Sequence, residues 1–174
     1  MNEEENKRLG TLLLELAKGK VEVLEEIARF IEKILYFIGN RYYDNKADIE
    51  DSIQNLYLLL YKKAKKFRKG NACAWILTVY RNSVLNYLKG RKKEMSLEDE
   101  NVERVGIKDE RYIDNHLFLR ELFDKLNKEE SELLEYRHAC GCTVRELAEI
   151  FHTSKSSIER KLKALEAKIN NLKE

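Results

Sequence analysis

The residues best suited to binding chemistry lie in a basic segment from Lys62 to Lys93. This segment carries eleven Lys or Arg and no Asp or Glu, and it holds the chain's one tryptophan, Trp75. Wound as a helix at about 100° per residue, it places an aromatic ring, two amides and two cations on one strip. The strip consists of Trp75, Val79, Asn82, Asn86, Lys89 and Lys93. Rings stack on bases, amides bond base edges and lysines pair with phosphates, so the strip favours single-stranded nucleic acid.

The residues that precede the strip extend its positive charge. They add the candidate contacts Lys65, Lys66, Phe67, Arg68 and Asn71. The opposite face collects the apolar residues expected in a core, which are Ile76, Leu77, Tyr80, Val84, Tyr87 and Leu88. An alternative is that Trp75 packs beneath a neighbouring helix and the lysines only keep the face solvated. The absence of any acid from Ser52 to Lys93 favours a polyanion as the ligand.

A second candidate surface lies near the C-terminus, where two helices have the spacing of a helix-turn-helix. Apolar residues of both helices, among them Leu147 and Ile158, are expected to face a shared core. The start of the second helix presents side chains that can reach major-groove base edges and phosphates. These are Lys155, Ser156, Ser157, Glu159, Arg160 and Lys163. The alternative is a plain helical hairpin packed on a partner.

The cysteines and histidines form no pattern typical of a metal or catalytic site. The three cysteines are Cys73, Cys140 and Cys142, and an odd count without a secretory signal argues against a disulfide framework. The segment "HACGC" lacks the C-x-x-C spacing of a zinc knuckle, so we expect structural thiols. Nucleophile–base pairs and Gly-rich phosphate loops are also missing. The sequence therefore predicts a protein that is not an enzyme and needs no metal, cofactor or small-molecule substrate.

The elements that must position these residues are predicted to be helical throughout. The chain of 174 residues has no Pro, and 37% of it is charged. It has no apolar run long enough for a membrane span and no signal-peptide pattern, so we expect a soluble, cytoplasmic protein with no membrane partner. Helical periodicity predicts a pair of helices from about Leu9 to Gly39 that is interrupted at Gly19, a third helix from Asp48 to Phe67, and a fourth from about Ala72 to Gly90.

The second half is predicted to be a separate small domain. From Glu94 to Glu132 there are thirteen acids against six bases, which indicates an acidic connector. Capping-box patterns open helices at Asn127 and Thr143, and a long helix is predicted from about Ser154 to Leu172. The predicted organisation is all-α, with two helical domains at residues 1–93 and 113–174 joined by a linker at 94–112.

Taken together, these motifs resemble the extracytoplasmic-function (ECF) group of bacterial sigma factors in the sigma-70 family. The helix from Asp48 to Phe67 is similar to the family's helix for binding core RNA polymerase. The segment from Ala74 to Lys93 is similar to its promoter-melting and minus-10 helix, and the segment from Leu126 to Ile169 is similar to its minus-35 helix-turn-helix.

The resemblance implies a transcription initiation factor that acts in the bacterial cytoplasm. Its partners would be core RNA polymerase, promoter DNA and an anti-sigma factor. The implied core-polymerase contacts are Asp48, Glu50, Asp51, Gln54 and Asn55. The position matching Asn82 lies, in the family, beside a pocket for a flipped base, and the helix after Ser154 reads the minus-35 duplex.

One departure from the family keeps other functions open. Glu159 stands where the family usually has Lys or Arg, and an acid there repels phosphate but can accept from a cytosine amino group. One alternative is a conventional helix-turn-helix regulator whose front module is a dimerisation bundle. Another is a sigma-like decoy that sequesters an anti-sigma factor without initiating transcription.

Overall fold

The computed structural model describes residues 1–95 and 119–173, and the side chains of 1–92 and 119–171. Within those residues the regular elements are all helical. Seven helices have defined bounds: α1 Glu3–Ala17, α2 Val23–Gly39, α3 Lys46–Lys63, α4 Ala72–Met95, α6 Lys128–Leu134, α7 Val144–Ile150 and α8 Lys155–Lys173. Residues 119–125 form a further helix, α5, and two short segments, Ala64–Lys66 (3₁₀) and Glu135–Ala139 (π), extend α3 and α6.

Side-chain caps set several of the helix starts. The side chains of Asn127 and Thr143 each accept a hydrogen bond from the backbone N–H three residues on. In turn, the side chains of Glu130 and Glu146 accept from the backbone N–H of Asn127 and Thr143. Both capping boxes were predicted from the sequence and are confirmed. Asn2 and Asn45 cap α1 and α3 in the same way from the N-cap side. Such caps satisfy N–H groups that have no partner inside the helix.

The first module packs α1 to α4 around one apolar core. Leu9, Leu12, Ile27, Ile31 and Tyr80 are among its fully buried side chains. The end of α2 approaches α3 closely, because a Cβ added at Gly39 would lie 2.7 Å from a methyl carbon of Ile49. The breaks predicted at Gly19 and in the turn before Asn71 are confirmed, and Gly19 and Gly70 adopt the left-handed backbone that suits glycine.

The second module is the predicted helix-turn-helix. Leu147, Ile158 and Leu165 are buried between α7 and α8. Gly141 (φ 66°) ends the π segment, and His152 (φ 50°) forms the turn between the two helices. Histidine is among the non-glycine residues that tolerate this conformation. The fold thus presents the start of α8 on a rigid two-helix support.

Two local predictions need correction. α4 continues five residues beyond its predicted end at Gly90, because Gly90 does not adopt the left-handed backbone with which a glycine ends a helix. Tyr87 was assigned to the buried face but is 57% exposed, whereas Ile76, Leu77, Tyr80 and Val84 are buried as predicted. The linker predicted at 94–112 lies outside the described residues, except for the backbone of residues 94 and 95. The first residues of the domain predicted at 113–174 also lie outside them.

The two modules pack directly against each other. Phe123 of α5 stacks at a tilt on Phe37 of α2, with 5.4 Å between ring centroids. Arg120 of α5 forms an ion pair with Asp44, in the turn before α3. Further contacts join α4 to the π segment that follows α6. None of the described helices is both long and apolar enough to cross a lipid bilayer.

Candidate nucleic-acid interface

The strip predicted on α4 is divided into an open and a packed part. Asn82, Asn86 and Lys89 are exposed along one side of the helix. Trp75 is half-buried, and its ring meets the edge of Phe67 with 5.5 Å between centroids. Val79 is 7% exposed and belongs to the core. The open part can therefore meet a ligand directly, whereas Trp75 offers only one side of its ring.

The segment before α4 supplies cations around that packed aromatic pair. Lys65, Lys66 and Arg68 are exposed, whereas Phe67 is only 5% exposed. Phe67 was predicted to contact DNA, but the structure places it beneath Trp75 as a support. Both amide atoms of the Asn71 side chain form hydrogen bonds within the protein. Its Oδ1 accepts from the Ala74 backbone N–H at 2.9 Å, and its Nδ2 donates to a backbone carbonyl at 3.4 Å.

A groove between α3 and α4 collects most of the residues predicted to bind core polymerase. The groove has a volume of about 600 Å³, and Asp48, Asp51, Gln54 and Asn55 line it together. Glu50 is not in this set, since it faces α2 and accepts a hydrogen bond from the Tyr36 hydroxyl at 2.8 Å. Its carboxylate also lies 3.5 Å from the Lys46 ammonium.

The groove also contains apolar side chains that the sequence reasoning did not assign to it. Leu58 is 65% exposed and lines the groove with the half-exposed ring of Tyr87. The signal for Leu58 was present in the helical period, because it lies one turn after Gln54 and off the core stripe of α3. Exposed apolar groups beside acids are typical of a protein-binding surface.

The helix-turn-helix presents its predicted contacts on one exposed face of α8. Ser154 caps the helix by accepting from the Ser157 backbone N–H at 3.2 Å. Lys155, Ser156, Glu159, Arg160 and Lys163 are exposed, and Ser157 is half-buried. Glu159 stands among cations on this face without contributing to the core. The face can meet phosphates through its cations and base edges through Ser156 and Glu159.

A buried charge network joins the two modules beside the α4 strip. The carboxylate of Glu135, which is 0% exposed, accepts from Arg81 of α4 and from Arg41 at 3.1 Å. Arg81 also donates to the Tyr136 hydroxyl at 2.8 Å, and Thr78 lies 3.0 Å from the same oxygen. Burial alone would lower the pKa of Arg81, but its charge interactions and hydrogen bonds with Glu135 and Tyr136 together outweigh burial and raise that pKa above its ordinary value. The Arg81 guanidinium therefore stays charged inside the contact.

The cysteine prediction is wrong for two of the three residues. Cys73, in the first turn of α4, forms a disulfide with Cys140, which follows the π segment. Only Cys142 remains free, and burial raises the pKa of its thiol to about 12. The described residues contain no group of three or more His, Cys, Asp or Glu side chains placed to hold a metal ion. The number of cysteines in the sequence could not indicate this disulfide, because Cys73 and Cys140 lie in different modules and are brought together only by the fold.

Comparison with known proteins covers both modules. The family described as "Sigma-70 region 2" matches residues 27–94, and the family described as "Sigma-70, region 4" matches residues 118–169. Among solved structures, the chain is similar to CnrH in its complex with the cytosolic domain of CnrY, at 14% identity and a TM-score of 0.67. That likeness covers 94% of this chain and 95% of CnrH, so the two share a fold. No curated protein sequence matches the chain.

Proposed function

Because the chain belongs to the sigma-70 family of RNA polymerase sigma factors, we propose that its two modules share promoter recognition in the manner of the ECF group. Residues 1–93 bind core polymerase and open the minus-10 element, residues 94–112 connect, and residues 113–174 read the minus-35 element. The factor acts in the bacterial cytoplasm beside polymerase. It contributes binding and no catalytic chemistry, and it uses no cofactor. The region 2 match to residues 27–94 favours this function over a regulator with a dimerisation bundle.

The groove between α3 and α4 is the proposed contact with core polymerase. Asp48, Asp51, Gln54 and Asn55 supply hydrogen-bond acceptors and donors along one side, and exposed Leu58 supplies apolar area. A partner helix with basic and apolar side chains would match this surface in charge and in polarity. Glu50 contributes from outside the groove by its bond to Tyr36, which holds α3 against α2.

The exposed strip of α4 is the observation that carries the DNA assignment. Asn82, Asn86 and Lys89 lie on one open side of a helix in an acid-free part of the chain. Amides can bond the edge of an unpaired base, and the cations of Lys65, Lys66 and Arg68 can offset the charge of its backbone. Flipping a base out of the duplex costs a few kcal/mol. Contacts that the strip makes only with the open strand would offset this free-energy cost.

The exposed start of α8 is the proposed minus-35 surface. Lys155, Arg160 and Lys163 would pair with phosphates, and Ser156 and Ser157 would contact base edges or sugars. Glu159 would accept from a cytosine amino group, which changes the preferred base pair at one position.

A protein partner other than polymerase is also proposed. The structurally similar CnrH is held in a complex with the cytosolic domain of CnrY. We propose that this chain likewise binds an anti-sigma factor, which would keep it from polymerase until a signal arrives. The α3–α4 groove would be shared between the two partners, since a single surface suffices for mutually exclusive binding.

The DNA assignment is tested by measuring promoter melting with the Asn82→Ala variant. Permanganate reactivity of unpaired thymines in the minus-10 region should be lost, while binding to core polymerase stays unchanged. Asn170→Ala, at an exposed position near the end of α8, is the matched control and should melt promoters normally. Trp75→Ala should also lose melting, and its thermal unfolding is recorded to separate lost stacking from lost packing on Phe67. Normal melting by both variants would refute the assignment.

A further inference from the structure

The disulfide between Cys73 and Cys140 joins the two modules of the factor covalently. Sixty-seven residues separate the two cysteines in the chain, yet their Cα atoms lie 5.3 Å apart. That separation is ordinary for a disulfide. Both side chains are buried, at 0% and 1% exposure, so the bond forms part of the contact between modules.

Neighbouring contacts show that the junction is a built interface. Asn71, which caps α4, donates to the carbonyl of Cys140 at 3.4 Å. Two turns further along α4, Arg81 meets Glu135 and Tyr136. The disulfide therefore lies at one end of the contact between modules, and the ion pair between Arg81 and Glu135 lies at the other end. The same docked arrangement therefore brings the thiols together before they react.

The closed arrangement is incompatible with the separation that two promoter elements require. This step depends on the proposed function. Elements at minus-10 and minus-35 are about 25 base pairs apart, or about 85 Å of duplex at about 3.4 Å per base pair. Two compact modules of these lengths span together only about 60 Å. A released linker at residues 94–112 can add up to about 65 Å when extended.

We propose that Cys73 and Cys140 form a reversible redox lock: oxidation traps the factor in the closed arrangement, and reduction frees the two modules to bind a promoter. A peroxide is the oxidant. It converts one thiol to a sulfenic acid and releases one water. The second thiol then attacks that sulfur, forms the S–S bond and releases a second water. A dithiol reverses the step by thiol–disulfide exchange and is itself oxidised to a disulfide.

Two features favour a switch over a permanent staple. Transcription takes place in a compartment that keeps thiols reduced, where disulfides are usually transient and redox-sensing. Each module also has buried apolar side chains and helix caps of its own, apart from the two cysteines. Cys142 lies outside the bond as a free cysteine, and burial raises the pKa of its thiol, which keeps it protonated.

The test uses the full chain, treated with hydrogen peroxide or with dithiothreitol and then freed of reagent. The oxidised chain should yield a cross-linked peptide that contains both cysteines, and its radius of gyration by X-ray scattering should increase on reduction. With core polymerase and a promoter library, the reduced chain should give specific transcripts and the oxidised chain should give none. Cys73→Ala and Cys140→Ala should transcribe equally under both treatments, and Cys142→Ala should behave as the wild type.

Each failure has a separate meaning. Absence of the cross-linked peptide, an unchanged radius on reduction, or full transcription by the oxidised chain would overturn the lock. A reduced chain that opens but makes no specific transcript would instead refute the proposed promoter function. In that case the cross-linked peptide and the radius of gyration would still show whether the disulfide controls the opening of the modules.

Discussion

Replacing Glu135 by glutamine should open the contact between the two modules while each module stays folded. The Glu135 carboxylate is fully buried, and its two partners, Arg41 and Arg81, lie in the first module with side chains only 16% and 7% exposed. Removing one partner of a buried ion pair costs about 3–5 kcal/mol, and the Glu132 carboxylate, 3.9 Å from Arg81 Nε, compensates only part of the charge left behind. Separation of the modules returns both guanidinium groups to water. The cost therefore falls on docking, and it shifts the closed-to-open ratio by about 140- to 4000-fold.

The assay must remove the disulfide so that only docking is measured. Both chains carry Cys73→Ala, and the distance between modules is followed by X-ray scattering and by energy transfer between dyes on α1 and α8. Glu149→Gln is the matched control, because that exposed carboxylate pairs only with Arg145 at 3.4 Å and such pairs contribute about 1 kcal/mol or less. Without the disulfide the parent exchanges between closed and open arrangements, and if Glu135→Gln has the same closed fraction as this parent, the network does not hold the modules. If it unfolds a module, the network belongs to the fold of that module and not to docking.

Four further substitutions test the fold and the minus-35 face. Gly39→Ala should destabilise the chain by about 1–3 kcal/mol through its clash with α3. Gly90→Ala, in open space on α4, should instead stabilise the chain by about 1 kcal/mol. Denaturant titration measures both free energies of unfolding, and equal effects would contradict the packing at Gly39. The Lys168 ammonium, with the backbone N–H of the cap, lowers the pKa of Glu130, so its stabilisation is present at neutral pH and is lost as pH falls through the lowered value. Glu130→Gln should therefore cost about 1 kcal/mol at pH 7 and progressively less as the pH falls below the usual range of a glutamate; a pH-independent difference would be the contrary result. Glu159→Gln should relax the minus-35 preference at one base pair in a binding selection, and an unchanged consensus would exclude it from base contact.

Local patterns in the sequence were sufficient to predict the elements. Two capping boxes, at Asn127 and Thr143, and the glycine break at Gly19 each depend on residues within a few positions of one another. Periodicity likewise placed most of the buried face of α4. It failed at Tyr87, because burial there depends on whether another helix covers that end of α4. A helical projection contains no information about such a neighbour.

The contact between modules could not be predicted from local patterns. Arg81 and Glu135 are 54 residues apart, and Cys73 and Cys140 are 67 apart. In the sequence Arg81 is one more cation of a basic helix, and Glu135 is one more acid of a polar one. Only the docked fold makes them a buried pair. The same holds for Phe67, whose basic neighbours suggested a DNA contact although its ring supports Trp75.

The sequence predicted the positions of most residues of the candidate polymerase-binding surface, but not of all of them. Four of the five residues assigned to polymerase binding share one groove, since Asp48, Asp51, Gln54 and Asn55 follow a single helical face. Glu50 is directed to Tyr36 by its position on the adjacent face. The roles of all these residues in polymerase binding remain predictions.

The most direct test of the whole account is transcription by the reduced chain with core RNA polymerase. The protein should co-purify with core polymerase and, on a library of promoter fragments, produce transcripts that start at defined positions downstream of a shared pair of sequence elements. Core polymerase alone should give no such starts. A chain that neither binds core polymerase nor yields specific starts would contradict its function as a sigma factor.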